Sequence, residues 1–432
     1  MLLSEVKSFF SFLNPSNVKD WFRVENIFVN YFWFFSICAL YTLIFHKYTL
    51  FNVGFPIILY LVFIKKIRVI SLNIIDCLWI IELLWIIITW LINDYPHQGI
   101  LTISAISREM AFMFAYWIVR CNKLNLLQEI IEKSSKPLII GCVIGLYCFV
   151  FEPAWYKNAI NLTISKYYTI EAIQASPILE QYRLRSFYQG TYVLAYFCAI
   201  VLIYEFYIMF IKNTATYRRH IIYILLLVTT SLLCMMRAPI FCYLFVFLVS
   251  VAFALVHTNN SRSKRILFSL IILSAISISI LFAIINVETI DFLESKVTRF
   301  SEGNINENFI LDRLFLQAQS FTICGDGYGK YSAYAYYNYG MPCVADGEYM
   351  KIISEQGFVG LTIMLLIFTS GFIKALFHFK QLFFELCLIF MLFVCMIGAD
   401  PLSIYDKHCF IFWMALGQIS RYSNSKTIIK NE

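Results

Sequence analysis

The chain of 432 residues is 60% hydrophobic, carries charge on only 14% of its residues and has a mean hydropathy of +0.72. A soluble protein of that length is excluded by this composition, which predicts a protein that uses lipid as its solvent. The net charge of +7 is typical of basic connections between membrane spans that contact anionic lipid. Nucleic acid is therefore not predicted as a partner.

Apolar runs recur along the whole chain, each long enough for the roughly twenty helical residues that cross a hydrocarbon layer. Helices satisfy their own backbone hydrogen bonds in lipid, so an all-α polytopic membrane protein is predicted. We predict about twelve transmembrane helices in one membrane domain, residues 1–432. The predicted spans are residues 26–46, 50–64, 72–93, 100–119, 137–152, 190–211, 220–236, 238–256, 266–285, 357–377, 381–398 and 403–420.

The distribution of lysine and arginine predicts the orientation of these spans. Most of the 34 basic residues fall in alternate connections, whereas the other short connections hold only Lys47, Arg237 and Lys407. Because basic connections stay in the cytoplasm, both termini are predicted to be cytoplasmic. Two long loops with short helices, residues 152–189 and 286–356, are then predicted on the outer side.

The second long loop contains a glycine cluster, residues 325–329 (Gly-Asp-Gly-Tyr-Gly). It lacks the preceding strand and the lysine of a phosphate-binding loop, so we interpret it as a tight turn with unusual backbone angles. The tyrosines that follow, as far as Tyr339, are predicted either to stack on sugar rings or to form an aromatic belt at the membrane interface. Tyr328 and Tyr349 are candidates for the lining of a cavity.

Five arginines lie in the predicted outer connections, where the positive-inside bias does not place them. A guanidinium group holds phosphate oxygens in a bidentate fork and stays charged, so converging arginines would suit a diphosphate. The alternative is that individual arginines pair with the acidic residues of the second loop. The five are Arg183, Arg185, Arg237, Arg299 and Arg313.

Two acidic residues, Asp346 and Glu348, come shortly before the span predicted at 357–377. Either carboxylate is a candidate general base for removing a proton from an attacking hydroxyl group. Their spacing also offers hard oxygen ligands to a metal ion, but no histidine lies nearby in the sequence. We therefore predict neither a metal nor another cofactor.

Charged residues are also predicted inside the membrane. Glu82 and Arg108 lie at matching depths in adjacent predicted spans, given a helical rise of about 1.5 Å per residue. We predict an ion pair between them. The alternative is that Arg108 lines the cavity that receives a lipid diphosphate.

The order of these motifs resembles the bacterial O-antigen polymerase (Wzy) family, which belongs to a superfamily shared with O-antigen ligases. Ligases commonly have His-Asn where this chain has Asp346 and Gly347, which favours the polymerase. The resemblance covers residues 181–361 as motifs and the rest of the chain as hydropathy. The matching motifs are Arg183-Leu184-Arg185, Met236-Arg237-Ala238-Pro239, Arg313 ahead of residues 324–329, residues 346–350 and residues 355–361.

This resemblance implies transfer of a growing glycan from undecaprenyl diphosphate onto the terminal sugar of another undecaprenyl-diphosphate-linked repeat unit. The reaction would take place on the periplasmic side of the bacterial inner membrane, with a chain-length regulator as a further partner. Direct displacement would invert the anomeric carbon, with Arg313 and the other arginines stabilising the leaving diphosphate.

An oxidising periplasm would permit a disulfide between Cys324 and Cys343; two buried thiols are the alternative. Alternative functions are an O-antigen ligase and a transporter of glycolipid or polysaccharide.

Overall fold

The computed structural model describes residues 29–30, 33, 71–106, 111–121, 126–151, 153–156, 184, 186, 191–212, 217–234, 236–257, 322–341, 347–399, 401–402 and 409–428. Within these residues the regular structure is helical and contains no strand. The helices are α1 (Ile74–Ile92), α2 (Gln98–Ala105), α3 (Ala111–Met113), α4 (Ala115–Cys121), α5 (Leu126–Phe151), α6 (Thr191–Phe206), α7 (Tyr217–Cys234), α8 (Arg237–His257), α9 (Ala333–Tyr339), α10 (Glu348–Phe377), α11 (Phe379–Cys395) and α12 (Cys409–Ile428). A π-helix, Tyr207–Lys212, continues α6.

Five helical segments of the described part are long and apolar enough to cross a membrane. They confirm the prediction of a helical membrane protein. The number of spans, the position of the termini and the two long outer loops stay predictions, because much of the chain, including the predicted spans 50–64 and 266–285, lies outside the described residues. The five segments are Ile74–Ile92, Leu126–Phe151, Thr191–Lys212, Arg237–Ala254 and Glu348–Phe377.

Several helix boundaries differ from those predicted; α12, for example, spans Cys409–Ile428 instead of residues 403–420. Helix α5 begins at Leu126, before the predicted start at residue 137. Its first turns are polar but partly buried against other helices, so hydropathy did not detect them. Helix α10 begins at Glu348 and is broken at Gly357, where the span was predicted to start. The run predicted as one span at 100–119 contains the short helices α2, α3 and α4, and residues 107–110 lie outside the described part.

Helix α6 lies at the centre of the bundle. All of its residues except Tyr192 are buried, and it packs against α5, α7, α8 and α11. A helix that is apolar on every side is expected to be enclosed by other helices. Helix α1 has a single buried stripe instead, which packs mainly against α10.

A buried polar cluster joins α1, α4 and α12 at one end of the bundle. Asn73 caps α1, since its Oδ1 accepts hydrogen bonds from the backbone N–H groups of Ile75 and Asp76. The Asp76 carboxylate accepts hydrogen bonds from Arg120 Nε at 3.1 Å and Nη2 at 2.9 Å. Asn73 Nδ2 donates to Ser420 Oγ at 2.7 Å. We call this cluster of Asn73, Asp76, Arg120 and Ser420 the Asp76 cluster.

Replacing Asp76 with alanine is expected to destabilise the protein by about 3–5 kcal/mol, because it leaves a buried guanidinium group unpaired. The side chain of Arg120 is only 2% exposed, so water cannot replace the lost carboxylate. Thermal unfolding of the purified protein in detergent measures the effect. The matched control is Asp94→Ala, which removes an exposed carboxylate; equal unfolding temperatures for the two variants would contradict the prediction.

Candidate functional site

The glycine cluster pairs with the break in α10, at the end of α1 opposite the Asp76 cluster. Asp326 N–H donates to the carbonyl of Ser354 at 2.8 Å, and Gly327 N–H donates to the carbonyl of Glu355 at 3.0 Å. In the other direction, Phe358 N–H donates to the carbonyl of Thr322 at 3.2 Å. Residues 322–327 thus provide hydrogen-bond partners for backbone groups near the interruption of α10. In lipid, these backbone groups would be unsatisfied.

The glycines permit this close approach of two backbones. Gly325, Gly327, Gly329 and Gly357 all have positive φ angles, from 72° to 112°. A Cβ atom on Gly357 would lie 2.2 Å from the carbonyl oxygen of Ile323. The prediction of unusual backbone angles in the cluster is confirmed, and the structure adds close contact with α10 as the reason for glycine.

A small, partly open cavity lies beside this junction. Apolar side chains from α1, α3, α10 and α12 form part of its lining, including Ile86, Met113 and Trp413. Its polar lining comes from the glycine cluster and from the first turns of α10. These polar residues are Tyr328, Glu348, Lys351, Glu355 and Gln356.

The three charged residues of the cavity occupy one face of α10. Glu348, Lys351 and Glu355 are spaced i, i+3 and i+7, which aligns side chains along a helix. They are 5%, 4% and 1% exposed. Glu348 Oε2 accepts a hydrogen bond from the N–H of Leu402 at 3.1 Å, and Glu355 Oε1 accepts one from the N–H of Tyr331 at 3.1 Å. Backbone donors therefore fix the orientation of both carboxylates.

The end of α1 and the turn after it hold the junction in place. Trp85 Nε1 donates to the carbonyl of Gln356 at 2.8 Å, and the Tyr95 hydroxyl donates to the carbonyl of Tyr328 at 2.8 Å. Burial raises the pKa of Tyr95 above its ordinary value, and the nearby Glu355 carboxylate raises it further. Tyr95 therefore stays protonated and able to donate at neutral pH.

The structure brings two of the predicted site residues to the cavity, Glu348 and Tyr328. Tyr349 is not among the lining residues; it packs against the apolar core and donates its hydroxyl to the carbonyl of Phe393 at 3.1 Å. Arg237 is exposed at the first residue of α8 and is not among the lining residues. The remaining predicted site residues lie outside the described part of the chain. These are Arg108, Arg183, Arg185, Arg299, Arg313 and Asp346, together with Cys343 of the predicted disulfide.

No role was predicted for Lys351, and Glu355 and Gln356 were noted only as part of the motif at residues 355–361. The signal was present in the spacing of Glu348, Lys351 and Glu355, which is that of a charged helical face. It was missed because the helix was predicted to start at Gly357. Within the described residues no cluster of three or more histidine, cysteine, aspartate or glutamate side chains is arranged to hold a metal ion; the absence of a metal from the reaction stays a prediction.

Comparison with models of known protein families gives no match, and no curated protein matches the sequence. The structure itself defines the class: a helical membrane protein with a charged cavity at one end of a bundle of apolar helices. A more specific function depends on the chemistry of this cavity and on the sequence motifs that meet there.

Proposed function

We propose that this protein is a glycosyltransferase of the O-antigen polymerase type, with its site on the periplasmic side of the bacterial inner membrane. Its substrates would be two oligosaccharide repeat units, each linked to undecaprenyl diphosphate. The observation that carries the proposal is the position of Glu348. This candidate base lies in a cavity at one end of an apolar bundle, three residues before a buried lysine.

Glu348 acts as the general base in the proposed reaction. Its carboxylate takes the proton of the acceptor sugar's hydroxyl group, and that oxygen forms a bond to the anomeric carbon of the donor glycan. The bond from the anomeric carbon to the diphosphate breaks, and undecaprenyl diphosphate leaves with the bonding electrons. Attack opposite the leaving group inverts the anomeric configuration. Asp346 is the alternative base.

Lys351 is proposed to stabilise the negative charge that develops on the leaving diphosphate. A fixed cation in a site that excludes water interacts with such a charge far more strongly than it would in bulk solvent. The arginines of the outer connections are proposed to bind the remaining phosphate oxygens. They are Arg183, Arg185, Arg237, Arg299 and Arg313. If all five alanine variants insert into the membrane and still give full-length polymer, this assignment of the arginines is wrong.

The function is tested by the lipopolysaccharide of a strain from which the gene is deleted, separated on a gel. A polymerase is indicated if the deletion leaves a single repeat unit on the lipid core. Loss of every repeat unit would indicate a ligase or a flippase instead. An unchanged ladder would overturn the proposal of a role in this glycan.

Replacing Lys351 with methionine is expected to lower the rate of polymer formation by at least about 100-fold, because methionine keeps the length but not the charge. The rate is measured with purified protein and lipid-linked repeat units. Lys330→Met is the matched control: Lys330 is partly exposed, pairs with Asp326 at 3.1 Å and does not line the cavity. Equal rates for the two variants would contradict a role for Lys351 in catalysis.

A further inference from the structure

Glu82 is a fully buried carboxyl group in the middle of α1, with 0% exposure. Neither of its carboxyl oxygens has a hydrogen-bond partner within the described part of the chain. Asp76, on the same helix, shows what a structural acid has here: hydrogen bonds from Arg120, Tyr116 and the backbone of Asn73. Asp76 is therefore held by hydrogen bonds, whereas the described residues provide none for Glu82, although both side chains are excluded from solvent.

The position of Glu82 connects it to the cavity. Trp79, Glu82 and Ile86 lie on the buried stripe of α1, at helical spacings of three and four residues. Ile86 lines the cavity together with Met113, whose carbonyl accepts a hydrogen bond from Trp79 Nε1 at 3.2 Å. Glu82 thus lies about 6 Å along the helix axis from a residue of the cavity lining.

Glu82 is buried with no hydrogen-bond partner in the described part of the chain, and this favours the neutral form of its carboxyl group. An ionised carboxylate alone in an apolar interior is so unfavourable that the group takes up a proton instead. Even the neutral acid costs free energy when its polar atoms are unsatisfied, and intramembrane acids of this kind typically belong to functional sites such as proton pathways.

The other titratable groups on α1 and on the elements packed against it lie toward the two ends of α1. Asp76, Arg120 and Lys374 are at the end that carries the Asp76 cluster. Glu348, Lys351 and Glu355 are in the cavity at the other end. None of them makes a hydrogen bond or ion pair with Glu82, so none holds it in the charged form.

We infer that Glu82 is a proton-binding site inside the membrane. Its carboxyl group is uncharged at neutral pH and exchanges its proton with water that reaches it from the cavity. The ligand is the proton itself, and exchange requires no further reactant. The site does not depend on which reaction takes place in the cavity, so its failure would leave the proposed glycosyl transfer untouched.

Infrared spectroscopy of the purified protein in lipid nanodiscs tests the inference at neutral pH. Exposed carboxyl groups are ionised there, so the carbonyl stretch of a protonated acid reports only buried groups. We expect Glu82→Gln to remove such a band from the native spectrum. In deuterium oxide the native band is expected to shift as the acidic hydrogen exchanges. A band that keeps its position in deuterium oxide would overturn the exchange with water.

Two variants make the assignment specific. Asp94→Asn removes an exposed carboxylate and is expected to leave the acid region unchanged. Glu385→Gln removes a second buried acid, whose Oε1 accepts a hydrogen bond from Gln418 Nε2 at 2.7 Å. If Glu385→Gln removes the whole acid band, or Glu82→Gln leaves it intact, Glu82 is ionised and the inference is wrong. The ion pair with Arg108 predicted from the sequence would give that second result.

A measurement on the native protein avoids dependence on folding of the variant. Dicyclohexylcarbodiimide is an apolar reagent that reacts with protonated carboxyl groups and not with carboxylates. Mass spectrometry of the labelled protein is expected to locate an adduct on Glu82 at neutral pH and none on Asp76, which is paired with Arg120. Labelling of Asp76 without labelling of Glu82 would overturn the inference.

Discussion

Glu348→Gln is expected to lower the rate of polymer formation by about 100- to 10,000-fold, the contribution typical of a general base. Glutamine retains an oxygen that can accept the hydrogen bond from the Leu402 N–H group, so the local structure should be maintained. It cannot take up the proton of the acceptor hydroxyl group. The rate is measured with purified protein and lipid-linked repeat units, and the polymer length is followed on a gel.

Two comparisons make this result specific to Glu348. Glu385→Gln changes a buried acid that does not line the cavity, and it should keep a rate close to that of the native protein. Asp346→Asn tests the alternative base of the sequence motif. If Asp346→Asn abolishes polymer formation and Glu348→Gln does not, the base is Asp346, and the position of Glu348 in the cavity serves another purpose.

Gly357→Ala is expected to destabilise the protein by roughly 2–4 kcal/mol, among the larger effects of a single substitution. Its φ of 72° and ψ of −173° lie in a region that essentially only glycine adopts. In addition, the new Cβ atom would meet the Ile323 carbonyl at 2.2 Å and Gly325 N at 2.5 Å. The variant therefore separates the glycine cluster from α10, and polymer formation should fall with it. Thermal unfolding in detergent measures the loss of stability.

Gly398→Ala is the matched control for this substitution. An added Cβ atom there has no neighbouring heavy atom within 4 Å, outside the adjacent residues. The unfolding temperature of this variant should be close to that of the native protein. If the Gly357→Ala variant is as stable as the Gly398→Ala variant, the junction between the glycine cluster and α10 contributes little to the fold.

Some features followed directly from the sequence because they depend on local composition. Long apolar runs have one solution in lipid, the helix, so the class of protein could be predicted from hydropathy alone. Glu348 was recognised as a candidate base because it precedes an apolar run in an otherwise polar loop.

Helix boundaries were less predictable, because hydropathy detects lipid contact and not burial against protein. The first turns of α10 are charged and were therefore predicted to be loop, but their charged side chains face a cavity inside the protein. The same reasoning applies to α5, whose polar start is partly buried against other helices. A helix that packs on protein can carry polar residues that a helix surrounded by lipid cannot.

The sequence by itself determined that this is a helical membrane protein with a glycine-rich turn and acidic candidates for catalysis. Only the tertiary structure decided that the turn pairs with a broken helix, and that Lys351 and Glu355 share a cavity with Glu348. It also decided that Glu82 is buried with no partner in the described part of the chain. The physical reason is that these hydrogen bonds join residues more than twenty positions apart in the sequence. They depend on which helices pack together and leave no local pattern in the sequence. The same holds for the absence of a hydrogen-bond partner around a buried acid.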